Sequence, residues 1–145
     1  MPTENMIYLL DTNTVSELKK KNPDAKCVQW VTANKLDAGL SVVSLAELRY
    51  GVERLPEGKH KAHRTRDFEF LLQDYRGRFF DFDGPAATEW GRYAAELEKA
   101  FGGDWWKTYD FRDTQIAATA REYGLVVATR NEKHFPFCQT VNPFA

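Results

Sequence analysis

Short apolar segments that alternate with longer helical patterns predict an α/β fold for this chain of 145 residues. The apolar segments have the length and composition of strands that are buried on both faces. The stretches between them repeat apolar residues at helical spacing and are long enough to cross from one parallel strand to the next. We therefore expect a single domain over residues 1–145. Its centre should be a mostly parallel sheet of four to five strands with helices on both faces.

The first half of the chain should supply two strands and four helices. The strands are predicted at 6–10, which ends directly before Asp11, and at 40–43, which follows Gly39. One helix is predicted at 12–21, and a second begins after the break at 22–24. A third is predicted from Ser44 to 55, and a fourth over most of 57–75. Thr12 or Asn13 is expected to cap the first helix, and Pro56 to end the third.

The second half should complete the sheet. Strands are predicted at 79–82 and 125–128, with a possible edge strand at 140–141. Helices are predicted at 86–101 and 113–123, with a short helical turn near 132–135. Gly124 has the right position for a left-handed helix cap. The segment 104–111 is rich in aromatic residues and is predicted to be a loop.

Composition and charge exclude several classes of protein. A hydrophobic fraction of 43% predicts a packed core rather than disorder. The net charge of −1 gives no global attraction to nucleic acid or membrane, so any such contact must be local. Cys27 and Cys138 form no disulfide framework and are expected to be reduced thiols. Because the N-terminal segment lacks signal-peptide features and no stretch has the length of a membrane span, we expect a cytoplasmic protein.

Polar side chains occur where predicted strands end. Asp11 directly follows the first strand, Glu47 lies one helical turn after the second, and Asn131 lies just past the fourth. Asp113 precedes the fourth strand, so it reaches the same edge only if its helix begins there. In open α/β sheets, ligand sites form outside the carboxyl ends of the strands. These four residues are therefore the candidate catalytic residues.

A cluster of carboxylates predicts a hard metal ion. Acids within a few ångströms repel one another unless a cation relieves the repulsion. No cysteine lies near these positions in the sequence, and the histidines lack the spacing of metal ligands, so Mg²⁺ or Mn²⁺ is the natural choice for Asp11, Glu47 and Asp113. Such an ion polarises a phosphoryl oxygen and activates water.

Each acid also has a purely structural interpretation. Asp11 is a favoured helix cap, and Asp113 suits the positive end of a helix dipole. Ser44 and Glu47 have the spacing of a capping box, in which Glu47 bonds back to the amide of Ser44. On local evidence alone, the capping box is the stronger interpretation of Glu47.

Three segments carry a family resemblance. They are LLDTNTVSEL, SVVSLAELRYGVERL and DTQIAATAREYGLVVATRN, in this order along the chain. With them the sequence resembles the PIN-domain ribonucleases, and in particular the VapC-type toxins of bacterial toxin–antitoxin pairs, including the FitB-like members. The resemblance extends from about Ile7 to the terminal VNPF.

The resemblance implies a role for each matching position. Asp11, Glu47 and Asp113 would be the first, second and third acids, which hold Mg²⁺ or Mn²⁺ for RNA cleavage by metal-activated water. Thr12, Asn13 and Thr129 would be polar supports. The small residues Ala117, Ala118 and Ala120 would let their helix pack closely on the sheet. One position departs from the pattern, because Asn131 stands where many PIN domains carry Asp, which argues against a tightly held second metal.

The resemblance also implies partners. They are an RNA substrate, a small antitoxin that places a basic side chain, Arg for preference, among the acids, and a second copy of the chain in a homodimer. Two alternative functions are a non-catalytic PIN-fold binding module, suggested by Asn131, and a receiver-like phosphoacceptor. The receiver is disfavoured because Asp11 has no acidic neighbour and no lysine follows the last major strand.

Two further segments allow alternative interpretations. The basic run at 59–66 is either an RNA-backbone contact or a solvated helix face. The aromatic segment 104–111 fits core packing or partner binding better than base stacking. His60, His63 and His134 are interpreted as surface or packing residues.

Overall fold

A five-stranded parallel sheet forms the centre of the computed structural model, which describes residues 5–145. The strands lie in the order β3-β2-β1-β4-β5. They are β1 (Tyr8–Leu10), β2 (Ala38–Ser41), β3 (Phe79–Phe80), β4 (Val126–Ala128) and β5 (Thr140–Val141). The predicted α/β architecture is confirmed. Residues 1–4, part of the segment assessed for a signal peptide, lie outside the described residues.

Helices connect the strands on both faces of the sheet. They are α1 (Thr12–Glu17), α2 (Ala25–Asn34), α3 (Val42–Glu53), α4 (Lys59–Asp74), α5 (Gly84–Phe101), α6 (Trp105–Thr108) and α7 (Phe111–Tyr123). Short 3₁₀ turns cover Lys35–Asp37 and Glu132–His134. Within 5–145, none of these helices combines the length and the apolar character needed to cross a membrane.

The pleat of the strands divides the core into two layers. On β1, Leu9 packs in a cluster with residues of α5 and α7, whereas Leu10 packs in a second cluster with residues of α1, α2 and α4. Successive side chains of a strand point to opposite faces, so this alternation is what two covered faces require. Ala117, Ala118 and Ala120 are fully buried on α7, as expected of small residues that allow close packing.

The end of β2 differs from the prediction. Val42 and Val43 were expected in the strand, but α3 begins at Val42 and β2 ends at Ser41. The reason is a helix cap: the Ser41 hydroxyl accepts a hydrogen bond of 3.0 Å from the Val43 N–H. The strand instead begins earlier, at Ala38. Gly39 is required there, because a Cβ atom would lie 2.7 Å from the Arg78 carbonyl oxygen of the neighbouring chain segment.

Several helices also differ from the sequence prediction. Helix α1 ends at Glu17 rather than 21, because the Glu17 carboxylate accepts the Asp24 N–H and turns the chain. The predicted loop 104–111 contains α6. Helix α7 begins at Phe111, with Asp110 as its N-cap, so Asp113 lies inside its first turn. Gly124 ends α7 in the left-handed conformation, with φ of 67°, as predicted.

Candidate active site

Asp11 occupies the carboxyl end of the central strand β1. Its backbone N–H donates to the Ala128 carbonyl at 3.0 Å, which joins the ends of β1 and β4. The chain continues from β1 to one side of the sheet and returns at β4 on the other side, so this junction is the topological switch point where ligands bind in such sheets. The side chain is only 3% exposed.

The Asp11 carboxylate is not used as a helix cap. It stands at the N-cap position of α1, but its side chain makes no capping hydrogen bond. Instead, Oδ2 accepts a hydrogen bond of 2.9 Å from Thr129 Oγ1. Burial raises the pKa of Asp11, and the charge of Glu47 raises it further, while the Thr129 hydrogen bond opposes both effects. The cap interpretation therefore does not account for this side chain.

Asp113 lies in the first turn of α7 and faces the same region. Burial raises its pKa to about 7, and the charges of Asp11, Asp110 and Glu47 add to this effect. Oδ2 of Asp113 lies 3.9 Å from Nδ1 of His134, in the 3₁₀ turn after β4. Since α7 begins at the carboxyl edge of the sheet, an acid that precedes β4 in sequence nevertheless reaches the end of β1.

Glu47 comes from α3 and is held by side chains rather than by a capping box. Its Oε1 accepts a hydrogen bond of 2.8 Å from Thr12 Oγ1, and Thr12 also lies 2.7 Å from the Ser44 hydroxyl. Ser44 is buried within α3 and is not its cap. The capping-box interpretation of Glu47 is wrong, because the helix begins three residues earlier than that motif requires.

Two basic residues at the site, Arg112 and His134, were missed by the sequence interpretation. Nη1 of Arg112 lies 3.6 Å from Oε2 of Glu47, and the same guanidinium also pairs with Asp110. His134, interpreted from the sequence as a surface or packing residue, is half exposed beside Asp113. The only signals in the sequence were that Arg112 directly precedes Asp113 and that His134 follows Asn131 by three residues.

The polar supports differ in what they contact. Thr129 is fully buried and links Asp11 to the segment after β4, since its hydroxyl also accepts the Asn131 backbone N–H at 3.0 Å. Thr12 supports Glu47 as described. Asn13 is exposed on α1, and its role stays a prediction. Asn131 lies at the N-cap of the 3₁₀ turn, and the catalytic role of its amide also stays a prediction.

The donor set fits a hard cation held by few ligands. Among the described residues, no three His, Cys, Asp or Glu side chains form a ready-made metal cluster. However, Asp11 and Asp113 raise each other's cost of ionisation, and a cation between them would remove that cost. Mg²⁺ commonly takes one or two carboxylates and fills its other positions with water and phosphate oxygens. Glu47 is already held by Thr12 and Arg112, so it stands apart from the other two acids.

Comparison with known proteins agrees with this geometry. Residues 8–139 match the family model described as PIN domain. The chain belongs to the PIN-domain family. The alternative of a receiver-like phosphoacceptor is thereby set aside.

Relatives of this PIN domain confirm its VapC-type, FitB-like character. It is 34% identical to the VapC ribonuclease Y4jK of Sinorhizobium fredii over 131 residues, which cover 89% of this chain and 90% of the relative. It is 36% identical to the toxin FitB of Neisseria gonorrhoeae, with 89% and 91% covered. The structure of FitAB bound to an IR36 DNA fragment matches with a TM-score of 0.86 at 30% identity, covering 96% of each chain.

The basic run on α4 of this PIN domain is partly neutralised by neighbouring acids. Lys61 pairs with Glu53 and Glu57, and Arg64 pairs with Asp67. These contacts favour the interpretation as a solvated helix face. Cys27 and Cys138 are free thiols, as expected.

The aromatic segment 104–111 divides between packing and exposure. Trp105 packs against the core and contacts Trp90, which is also in edge contact with Phe111. Trp106 is 61% exposed. Core packing therefore explains Trp105, whereas Trp106 remains available to a partner.

Proposed function

We propose that this PIN domain is a cytoplasmic, Mg²⁺- or Mn²⁺-dependent endoribonuclease, the toxin of a toxin–antitoxin pair. The observation that carries the proposal is that a buried acid, Asp11, and a partly buried acid, Asp113, each with a raised pKa, lie at the switch point of the sheet. Family membership and relatives named VapC ribonuclease and toxin FitB support the same activity.

Asp11 and Asp113 would hold the metal ion, with Glu47 and Asn131 beside it. When bound, the ion supplies a polarised phosphoryl oxygen and an activated water for hydrolysis of the phosphodiester bond. Thr129 fixes Oδ2 of Asp11, which leaves Oδ1 of the same carboxylate for the ion. Thr12 fixes Oε1 of Glu47 and thereby orients Oε2 toward the mouth of the site, where Arg112 is exposed to solvent.

Substitution of the acids tests this function. Asp11→Asn and Asp113→Asn should each reduce RNA cleavage in Mg²⁺ by at least about 100-fold, the scale of removing a principal electrostatic group from an active site. Glu57→Gln is a matched control, because Glu57 is a highly exposed carboxylate paired with Lys61 on α4. Cleavage by Asp11→Asn at the rate of the unmodified protein would contradict the proposal, as would full activity in EDTA.

An antitoxin would mask the acids with a basic side chain. Arg is best suited, because a guanidinium satisfies carboxylates with two parallel hydrogen bonds and no metal. An apolar groove of about 270 Å³ lies between α1, α3 and α4. Two of these helices, α1 and α3, also carry Thr12 and Glu47. The walls of the groove include Val15, Leu48, Val52 and Phe68. We propose that the apolar face of an antitoxin helix binds in this groove, since apolar grooves commonly take amphipathic helices. The similarity to the FitAB structure supports an antitoxin partner.

Co-expression with the neighbouring small reading frame tests the antitoxin assignment. The co-purified complex should be inactive, and changing the antitoxin arginine to alanine should restore RNA cleavage. Gly51→Glu lies in the groove but outside the acidic cluster, at an exposed position where an added Cβ meets no other atom within 4 Å, so it should weaken the complex and leave cleavage by the free toxin intact. Full nuclease activity of the intact complex would contradict masking.

We also propose a homodimer. Several large apolar side chains are exposed, including Tyr50, Phe70, Trp106, Phe111 and Phe137. Among these, Phe137 stacks on Phe101, which is also half exposed, and contiguous exposed apolar surface of this kind marks contact sites. Sedimentation at micromolar concentration should give twice the mass of 16.7 kDa. A monomer at all accessible concentrations would contradict this.

A further inference from the structure

Arg112 is held in a fixed orientation at the mouth of the site. Its Nε donates to Oδ1 of Asp110 at 3.2 Å, and its Nη2 donates to Oδ2 at 3.1 Å. Two parallel bonds of this kind fix the plane of a guanidinium. Asp110 is itself anchored, because it caps α7 by accepting the backbone N–H of Arg112 at 2.8 Å. The start of α7 therefore determines where the guanidinium points.

The other edge of the same guanidinium is only loosely engaged. Nη1 lies 3.6 Å from Oε2 of Glu47, which is longer than a hydrogen bond. A guanidinium carries five N–H donors, and Asp110 uses two of them. The Arg112 side chain is 52% exposed. Its Nη1 edge thus faces both the acids and solvent, with donors available to another acceptor.

The charge balance of the site makes this cation important. Asp11, Glu47, Asp110 and Asp113 would repel an approaching polyanion, and a single divalent ion does not offset four carboxylates. Arg112 places a permanent positive charge where the acids open to solvent. Arginine is the side chain that binds phosphate with two hydrogen bonds in one plane.

We propose that Arg112 binds a backbone phosphate of the RNA through its Nη1 edge. This edge moves away from Glu47 when the RNA is bound. Asp110 keeps the guanidinium oriented during this exchange. The proposal rests on the proposed ribonuclease function for its substrate. It assigns to Arg112 a direct contact with RNA, and it makes release of Glu47 a consequence of substrate entry.

The test measures binding separately from cleavage. Fluorescence anisotropy of a labelled single-stranded RNA is recorded across a range of KCl at fixed Mg²⁺, with Asp11→Asn as the parent so that cleavage does not interfere. Adding Arg112→Gln should weaken binding about 10- to 100-fold, as expected for loss of a charged hydrogen-bonded contact. The slope of log affinity against log salt should become shallower by about 0.7, the value for one phosphate on a single strand.

Two further variants separate charge, geometry and folding. Arg112→Lys should keep most of the salt slope but bind more weakly than arginine, because a lysine cannot form the planar fork. Arg92→Gln is the matched control, since Arg92 is an exposed arginine paired with Glu89 rather than with these acids, and it should change neither quantity. The far-ultraviolet circular dichroism and melting temperature of Arg112→Gln should stay close to the parent's, because exposed ion pairs contribute little to stability.

The outcomes distinguish this proposal from the ribonuclease function. Unchanged affinity and salt slope in Arg112→Gln, or no RNA binding by the Asp11→Asn parent, would overturn the role of Arg112. Loss of RNA affinity in Arg112→Gln, in a protein whose unmodified form cleaves no RNA with any metal, would support Arg112 and overturn the nuclease.

Discussion

Thr129 and Asp11 are joined by a buried hydrogen bond of 2.9 Å that connects the ends of β4 and β1. Both side chains are almost fully buried, at 0% and 3% exposure. Because the Thr129 hydroxyl favours the charged form of Asp11, it partly offsets the effect of burial on the pKa of this acid. Thr129 is therefore expected to keep Asp11 ready for a cation near neutral pH.

Replacing Thr129 with valine should move the pH dependence of cleavage. Without the hydroxyl, which favours the charged form, the pKa of Asp11 rises further, so half-maximal Mg²⁺-dependent activity should occur at a higher pH. Thr129→Ser keeps the hydroxyl and should preserve the profile. Thr119→Val removes another buried threonine hydroxyl, bonded within α7, and is the matched control. An unshifted profile in Thr129→Val would refute this role.

Thr12 should act on catalysis through Glu47. Thr12→Val removes the 2.8 Å hydrogen bond to Oε1 and should lower kcat several-fold with little effect on KM, because Glu47 loses its orientation. The effect should be absent when Glu47 is already glutamine, as measured in a double-mutant cycle. Additive effects of the two changes would mean that Thr12 acts elsewhere.

Substitution of Ser41 should affect the stability of the fold but not the function of the site. Because its hydroxyl caps α3, Ser41→Ala should lower the free energy of unfolding by about 1 kcal/mol and leave the KM for RNA unchanged. Urea unfolding and steady-state kinetics check the two halves of this prediction. Capping of the Val43 N–H by Ser41 is specific to the corrected boundary of α3, since Ser44 would be the cap if the sequence interpretation were right; an unchanged free energy of unfolding in Ser41→Ala would contradict that boundary.

Asp113 should make the metal-free protein less stable as pH rises. Its pKa in the folded state is raised from 3.8 to about 7, so the folded state holds the proton more tightly than the unfolded state. Stability from this group is therefore present below the usual carboxyl pKa and is lost as pH increases to about 7. The loss is at most roughly 4 kcal/mol.

Asp113→Asn should remove this dependence. In EDTA, the variant should be more stable than the unmodified protein at pH 8, and the two should converge at pH 4. Chemical unfolding at several pH values measures the difference between the two proteins, which cancels most titrations they share. A larger advantage for the variant at pH 4 than at pH 8 would contradict the sign of the effect.

The sequence predicted the fold because strand and helix patterns are local. The strand before Asp11 and a helix over 113–123 follow from local patterns, although the structure begins that helix two residues earlier, at Phe111. The boundary at Ser41 was missed because Val42 and Val43 are β-branched and read as strand. What decides it is a capping hydroxyl together with the burial of Ser44 against Thr12, a contact between residues 32 positions apart.

The site was predictable to a different degree. Asp11 and Glu47 follow strands, and the resemblance to PIN domains restored Glu47 against its capping interpretation. Arg112 and His134 had no such signal, because their contacts with Glu47 and Asp113 come from elements that only the fold brings together. A metal site leaves a pattern of acids in the sequence, whereas the basic residues beside those acids leave no such pattern.

The central claim is that Asp11 and Asp113 together hold a divalent ion. Its most direct measurement is the melting temperature of the unmodified protein, Asp11→Asn, Asp113→Asn and the control Glu57→Gln, as Mg²⁺ or Mn²⁺ is added at pH 7.5. Ligand that binds only the folded state raises its stability. The melting temperature should rise with metal in the unmodified protein and in Glu57→Gln, and stay constant in the two aspartate variants. An equal rise in all four proteins, or none in the unmodified protein, would contradict the claim.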